Sequence, residues 1–349
     1  MPLEALEISE AVRKGYAVLS ALDIPIIVID GETTVIFANP AAVSQFGAFS
    51  ERAILSGRIR SPQILDMVAQ VIADGRTRTI ENAERVPSER WYEVRAASVE
   101  GEGLYVLSFR DLTEARRMDR MRTDFVANAS HEMRTPLASL VGFIETIQGP
   151  ARNDPKAQER FLGIMLEQAS RMSRLIDDLL SLSRLEMRAH VAPTGEVDVS
   201  AICRHVIDAL RPMADELGVE ISLQTPEAPT TVTGDRDELI QVMENLIENA
   251  CKYGQSGKRV DVEVKREEGG TIIASVRDYG PGIERQHVPR LTERFYRVDV
   301  DSSRAKKGTG LGLAIVKHIL TRHRARLVVT SEPGQGSTFG VRFPAPNLG

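Results

Sequence analysis

The sequence predicts a multidomain α+β chain, and three observations carry that expectation. Short strand-like runs mixed with helical pieces occupy the N-terminal part. Two long amphipathic segments follow with no strand between them, and beyond the Val-Ala-Pro-Thr-Gly break at 191–195 strands and helices alternate to the end. A chain of 349 residues has room for two or three domains. The formal net charge of −5 argues against nucleic acid as the main partner.

The longest apolar stretch lies around Ile24 to Ile29, far short of the roughly 20 residues that span a bilayer. The start, Met-Pro-Leu-Glu-Ala-Leu-Glu, lacks the basic-then-apolar layout of a signal peptide. A cytoplasmic location is expected, at the inner face of the plasma membrane if a longer form carries an anchor. Cys203 and Cys251 sit in separate helix-like segments without metal-ligand spacing, so reduced, packed thiols are expected.

After an N-terminal segment (1–15), residues 16–112 form the first module. Strands are predicted at Ile26 to Asp30, Thr34 to Ala38, Trp91 to Ala97 and Tyr105 to Arg110, with helices at Pro40 to Gln45 and Pro62 to Ala73. The progression Ile-Val-Ile-Asp-Gly, then Val-Ile-Phe-Ala-Asn-Pro-Ala-Ala, resembles a PAS sensor domain, in which the Asn39-Pro40 step leaves a strand and opens a short helix. The first histidine is His131 and the first cysteine Cys203. Residues 1–130 therefore cannot ligate haem through either type or form a cysteinyl flavin adduct. A small-molecule sensor and a structural or dimerising module both stay open.

Asp111-Leu112-Thr113-Glu114 has the spacing of a capping box. Leu112, Ala115, Met118 and Met121 then keep a helical period, which predicts a signalling helix over 113–124 that runs on to His131.

Residues 125–190 read as a helical hairpin. Phe125, Ala129, Met133, Leu137, Leu140, Ile144 and Ile147 recur at steps of three or four and mark one buried face. His131 points about 200° from Ala129, away from that seam. Thr135 stacks one turn beyond it, and Glu132 sits one step round. Pro136 removes a backbone hydrogen bond at a cost of about 3 kcal/mol in a helix interior, so a bend is expected there. Taken alone, a histidine beside a glutamate is also an ordinary solvated surface pair. The loop Ala151 to Pro155 leads into a second helix whose seam runs Phe161, Met165, Met172, Leu175, Leu179, Leu182. One hairpin cannot cover two apolar stripes, and pairing with a second copy into a four-helix bundle can, which predicts a homodimer.

The last unit, 195–345, is predicted as a mixed sheet under helices. Helices are expected at Val199 to Leu217, Asp235 to Lys252 and Gly312 to His323; strands at Glu220 to Leu223, Arg259 to Lys265, Thr271 to Asp278, Leu327 to Thr330 and Thr338 to Phe343. On the Asp235 helix, Leu239, Val242, Met243, Leu246 and Ala250 form the apolar face. Asn245 and Asn249 stack at i, i+4 on the other, followed by Lys252 and Tyr253. Their amide oxygens suit Mg²⁺, which keeps waters and substrate phosphates in its remaining positions. Lys252 would add a charge for phosphate and Tyr253 a ring for a base or ribose edge; a polar solvated face would look the same.

Asp278-Tyr-Gly280-Pro-Gly282 ends a strand in a turn where two glycines allow close backbone approach and Asp278 can accept from an exocyclic amine such as that of adenine. A plain β-turn reads alike. Lys307-Gly308-Thr309-Gly310-Leu311-Gly312 precedes an apolar helix, so its backbone N–H groups can meet phosphate. The spacing is neither G-x-G-x-x-G nor a P-loop, and H-R-D and D-F-G are missing.

The ordered set His131-Glu132-x-x-Thr135-Pro136, Asn245-x-x-x-Asn249, Asp278-x-Gly280-x-Gly282, Phe295-Tyr296 and Gly308-x-Gly310-x-Gly312 resembles the H, N, G1, F and G2 boxes of two-component sensor histidine kinases. Within that family, Arg-Leu-Thr-Glu-Arg-Phe-Tyr-Arg-Val-Asp and the glycine run are most similar to the phosphate-regulon branch. The resemblance covers about Thr113 to Pro344. It implies a PAS-like α/β sensor module, a dimerisation and phosphotransfer hairpin, and an α/β sandwich ATP-binding domain of Bergerat type with a lid from Phe295 to Lys307. Lys307 stands where many members have a first glycine.

The resemblance further implies ATP and Mg²⁺ as cofactors and His131 as the residue phosphorylated. Glu132 becomes the proton acceptor and Thr135 the residue that positions a water for dephosphorylating the partner. Asn249, assisted by Asn245, would hold the metal. Lys252, Tyr253, Asp278, Gly280, Gly282, Phe295, Arg297 and the stretch Lys307 to Gly312 would contact nucleotide. The implied partner is a response-regulator receiver domain, on a separate chain, and phosphate-starvation signalling is the implied context. A catalytically inactive dimeric scaffold and a serine kinase on the same nucleotide fold are the rival readings.

Overall fold

A computed structural model describes residues 15–50, 52–84, 89–187, 191–267, 269–298 and 308–345. The chain divides into two compact units, Met1–Val126 and Ala127–Gly349.

The first unit is built on one antiparallel sheet in the order β2-β1-β5-β4-β3: β1 (Ile26–Asp30), β2 (Val35–Ala38), β3 (Arg78–Glu84), β4 (Arg90–Val99) and β5 (Leu104–Asp111). Helices α1 (Pro40–Phe46) and α2 (Pro62–Asp74) close the core, where Ile27, Ile29, Val68, Val94, Leu107 and Phe109 pack together. Asn39 organises the entry to α1. Its buried side chain accepts from the N–H groups of Ile26 and Ala42 and donates to the carbonyls of Leu19, Leu22 and Ile24. One amide thus ties a strand, a helix cap and the preceding turn, and every one of its polar groups is satisfied.

Strand β3 was not expected. Arg-Thr-Ile-Glu-Asn-Ala-Glu has a single strongly β-favouring aliphatic, and pairing of Arg78 to Glu84 with Ala96 to Arg90 makes it a strand. Only that edge position, set by the hairpin partner, outweighs its composition. Helix α3 (Thr113–Gln148) starts where the Thr113 hydroxyl accepts the N–H of Trp91.

In the second unit, α3 turns through residues 149–154 into α4 (Pro155–Met187). The Ala151 N–H donates to the Thr146 carbonyl, the Asp154 carboxylate caps the Ala157 N–H, and Phe143 stacks on Phe161 with centroids 5.2 Å apart. Helix α3 continues across Pro136. Part of the hairpin's apolar surface stays open in a single chain, as two apolar stripes on one hairpin lead one to expect. Ala129, Leu175, Leu182 and Leu185 are buried, yet Leu137, Val141 and Ile144 are 52%, 48% and 41% exposed. Among the described residues that part of α3 is left about half open.

The remainder is a mixed five-stranded sheet, β11-β12-β10-β9-β7, whose only parallel pair is β7 (Glu220–Gln224) with β9 (Arg259–Arg266). Strands β10 (Ile272–Asp278), β11 (Arg326–Glu332) and β12 (Gly336–Phe343) complete it. Helices α5 (Val199–Leu217), α6 (Arg236–Tyr253) and α7 (Gly312–Arg322) bury Val206, Leu246, Ile247 and Ile315 beside Val262, Ala274, Val276 and Val341 of the sheet. A small second ribbon, β6 (Glu196–Asp198) with β8 (Thr231–Thr233), escapes a sequence reading because three-residue strands carry no periodicity.

Candidate active site

Helix α6 presents the first group of expected site residues. Asp235 caps it, accepting from the N–H groups of Asp237 and Glu238 at 3.1 and 3.3 Å. With Leu239, Val242, Met243 and Leu246 buried, Asn245, Asn249 and Lys252 fall on the half-buried opposite side. The Asn245 amide nitrogen donates to the Gln241 carbonyl at 2.8 Å. Its oxygen lies against the start of α7, where a Cβ added at Gly312 would come within 2.3 Å of it. A larger residue at 312 would have to displace that amide oxygen. Lys252 is ion-paired with Glu248. Two amide oxygens one turn apart form a donor set that fits Mg²⁺ carrying most of its ligands as water and phosphate.

Asp278 closes β10 as a buried carboxyl, its Oδ1 accepting the Gly280 N–H at 2.9 Å, and burial pushes its pKa up. The two glycines of this turn owe their presence to protein packing. A Cβ at Gly280 would meet Gly254 Cα at 2.7 Å, and one at Gly282, which has φ +72°, would fall 2.1 Å from the Glu332 carbonyl oxygen. Both glycines stand against neighbouring backbone. Tyr253 precedes Gly254 at the end of α6, and its carbonyl is 2.9 Å from the position of a Gly280 Cβ.

Gly308 to Gly312 lead into α7, with Leu311 fully buried and the Thr309 hydroxyl accepting the Leu311 N–H at 3.3 Å. Gly310 has φ +76° and its carbonyl accepts the N–H of Phe295 at 2.8 Å. Phe295 itself adopts φ +62°, a conformation disfavoured for a bulky residue and held here by the close Gly310 backbone. Lys307 and the lid segment 299–307 lie outside the described residues.

The hairpin supplies the other half. His131 is exposed, as its angle from Ala129 requires, and the Thr135 hydroxyl donates to the His131 carbonyl at 3.4 Å. Glu132 Oε2 accepts from two guanidinium groups, Arg171 of α4 at 3.1 Å and Arg297 at 3.2 Å; Arg297 also donates to the Gly308 carbonyl. A pocket of about 300 Å³ is lined by Asn128, His131 and Glu132 on one side and Arg290, Glu293, Arg294, Phe295 and Tyr296 on the other. His131, Glu132 and Phe295 are therefore brought together, and Arg297 links that group to the glycine loop. Asn245, Asn249, Asp278 and Thr135 do not line this pocket.

Three contact residues were missed by sequence reasoning. Arg171 holds Glu132, Asp178 accepts the Thr309 hydroxyl at 2.7 Å, and Arg290 lies over Tyr296, whose hydroxyl is 2.6 Å from His287 Nδ1. Burial raises the pKa of Asp178. A signal existed for the first two. Arg171 and Asp178 are one heptad apart and each precedes a seam residue, Met172 and Leu179, so both flank the packed face of α4.

Three family models match the chain: "PAS fold" over 19–117, "His Kinase A (phospho-acceptor) domain" over 121–188, and "Histidine kinase-, DNA gyrase B-, and HSP90-like ATPase" over 234–347. The phosphate regulon sensor protein PhoR of Pseudomonas aeruginosa is 40% identical over 239 residues, 68% of this chain and 54% of that protein, so the chain spans about half of that relative's length. The sensor-like histidine kinase SenX3 of Mycolicibacterium smegmatis is 33% identical over 323 residues, 91% of this chain and 82% of that protein. Among solved structures, the Acinetobacter baumannii histidine kinase AdeS superposes with TM-score 0.50 at 26% identity, covering 62% of this chain and 98% of that one. The histidine kinase ThkA, solved in complex with the response regulator protein TrrA, gives TM-score 0.52 over 94% of this chain and 98% of that one; at 18% identity it shows the fold alone. Among the described residues no helix is long and apolar enough to cross a membrane. A phospho-acceptor hairpin joined to an ATPase-type sandwich, with a relative matched over most of its length, places this chain in the family of sensor histidine kinases.

Proposed function

We propose that the chain transfers the γ-phosphoryl group of Mg²⁺-bound ATP to His131 and then to an aspartate of a response-regulator receiver domain. One observation carries this reading: the pocket that sets His131 and Glu132 opposite Phe295 and Tyr296, with Arg297 joining Glu132 to the glycine loop. His131 attacks as a neutral imidazole, whose ring nitrogen carries the lone pair that bonds phosphorus. A new N–P bond forms as the bond to the ADP leaving oxygen breaks, and the proton of the resulting imidazolium passes to the Glu132 carboxylate. Asn249, with Asn245, would hold Mg²⁺, which would supply positive charge against the phosphates. The glycine loop and the N-terminus of α7 offer N–H groups to those phosphates. Asp278 accepts from the adenine amine. Lys252, released from Glu248, adds a cation.

The exposed Leu137, Val141 and Ile144 favour a homodimer in which a second copy covers them. Thr135, one turn from His131, positions water for hydrolysis of the partner's acyl phosphate. The likeness to PhoR favours phosphate-starvation signalling as the context. Incubation with γ-labelled ATP and Mg²⁺ tests the central step. Acid-labile, base-stable label that vanishes in His131→Ala is expected, whereas acid-stable label means serine chemistry and none at all means an inactive scaffold. Thr135→Ala should keep autophosphorylation and lose phosphatase activity by about tenfold or more; equal loss of both would leave Thr135 a purely structural residue.

A further inference from the structure

Glu132 does not sit free beside His131. Its Oε2 is shared by two arginines of different origin, Arg171 at 3.1 Å and Arg297 at 3.2 Å. Arg297 belongs to the ATP-binding part and contributes only while that part rests on the hairpin. Arg171 is on α4, thirty-nine positions from Glu132, and the fold of the hairpin itself delivers it. The side chains are 18% exposed for Arg171 and 27% for Glu132, so water is thinned around the pair without being excluded. A guanidinium is planar and carries directed donors, which hold a carboxylate by orientation as well as by charge. Both arginines use Oε2, so Oε1 is the oxygen that can turn to the ring N–H of His131.

We propose that Arg171 is a positioning residue for phosphoryl transfer. It anchors Oε2 of Glu132 so that Oε1 stays aimed at the acceptor histidine through the exchange in which Arg297 lets go of Glu132 and turns to the nucleotide. The balance of the step is unchanged. The imidazole nitrogen bonds phosphorus, ADP leaves with the electron pair, and the imidazolium proton goes to Oε1, while Arg171 keeps its own protons throughout. Without Arg171, Glu132 would lose its anchor at the moment its second partner departs. Rotamer freedom would then return to the group that must accept the proton.

This inference rests on Glu132 acting as proton acceptor, and a double-mutant cycle separates the two ideas. Autophosphorylation of the full chain is measured with γ-labelled ATP and Mg²⁺ for wild type, Arg171→Gln, Glu132→Gln and the double variant. Arg171→Gln should lower the turnover rate roughly tenfold with KM for ATP unchanged, since orientation and not nucleotide binding is lost. In the Glu132→Gln background the same substitution should cost nothing more, and Arg171→Lys should restore part of the rate.

A full additional loss in the Glu132→Gln background, or an Arg171→Gln turnover rate equal to wild type, overturns the proposal. If Glu132→Gln itself keeps the wild-type rate, the proton-acceptor reading fails instead. Melting by circular dichroism reports on the hairpin. Should Arg171→Gln unfold it, Arg171→Lys takes its place in the cycle, and a loss that persists without Glu132 again overturns the idea.

Discussion

Helices α3 and α6 each carry motif residues on one face and an apolar stripe on another, and their stripes have opposite fates. In α6, Leu239, Val242, Met243, Leu246 and Ile247 are all buried against the sheet and its neighbouring helices. In α3, Leu137, Val141 and Ile144 stay open although they keep the same helical spacing. The difference teaches that the sandwich is a finished hydrophobic structure within one chain and the hairpin is not. The proposed chemistry is divided along the same line: the residues proposed to bind nucleotide sit on the finished part and the proposed acceptor, His131, on the unfinished one.

Three measurements can break or sharpen that contrast. The largest effect is expected from Asn249→Ala, which should reduce autophosphorylation by a hundredfold or so through loss of charge neutralisation on the phosphates. Self-association of the hairpin should be untouched. A variant that phosphorylated normally would remove Asn249 from the metal site.

Next comes a paired comparison of the two stripes. Leu246→Ala should destabilise the sandwich by about 2–5 kcal/mol at any protein concentration, as a cavity in a closed core does. Leu137→Asp combined with Ile144→Asp should leave the sandwich melt in place and shift light scattering from dimer to monomer. An unchanged dimer in that variant would mean the open stripe faces something other than a second copy.

The smallest effect concerns pH. His323 is buried at the end of α7, with Nε2 accepting the Asp235 N–H at 3.0 Å and Nδ1 next to the Ile319 carbonyl at 2.8 Å, a pattern that requires the neutral ring. Burial lowers its pKa from 6.5, and Glu238 and Asp235 only partly oppose that while Arg322 adds to it. A lowered folded-state value means the unfolded chain binds the proton first. The contribution is thus intact above about pH 6.5 and declines as pH falls below it, by up to about 1.4 kcal/mol per pH unit. Burial lowers His318 in the same direction, beside Glu186 and Arg294. Chemical denaturation between pH 7 and 5 should show this slope, reduced in His323→Gln; an identical slope in the variant would assign the acid sensitivity elsewhere.

Much of the architecture was legible in the residues because period and punctuation are local properties. The predicted β1 and α5 fall where they stand, and α1, β9, β10 and α6 shift by a residue at one end or both, since alternation, capping and Gly or Pro breaks act over a few positions. Strand β3 was invisible because Asn82 and Arg78 become strand residues only through pairing with Tyr92 and Ala96. The ribbon of β6 and β8 joins Val197 to Val232 across an intervening helix, which no local pattern records.

The same division holds for the site. The sequence by itself determined that this is a multidomain chain with His131 on the open side of an amphipathic helix, two asparagines on one helix face, and glycines before a third. Each of those statements depends only on spacing along one element. Tertiary structure decided which side chains hold them. That Gly312 makes room for Asn245, that Gly282 makes room for the Glu332 carbonyl, and that Arg171 and Arg297 meet on one oxygen of Glu132 all follow from elements distant in sequence packing together. The physical reason is that a hydrogen bond or a close approach is fixed by three-dimensional distance, and distance between elements is set by the whole packed core.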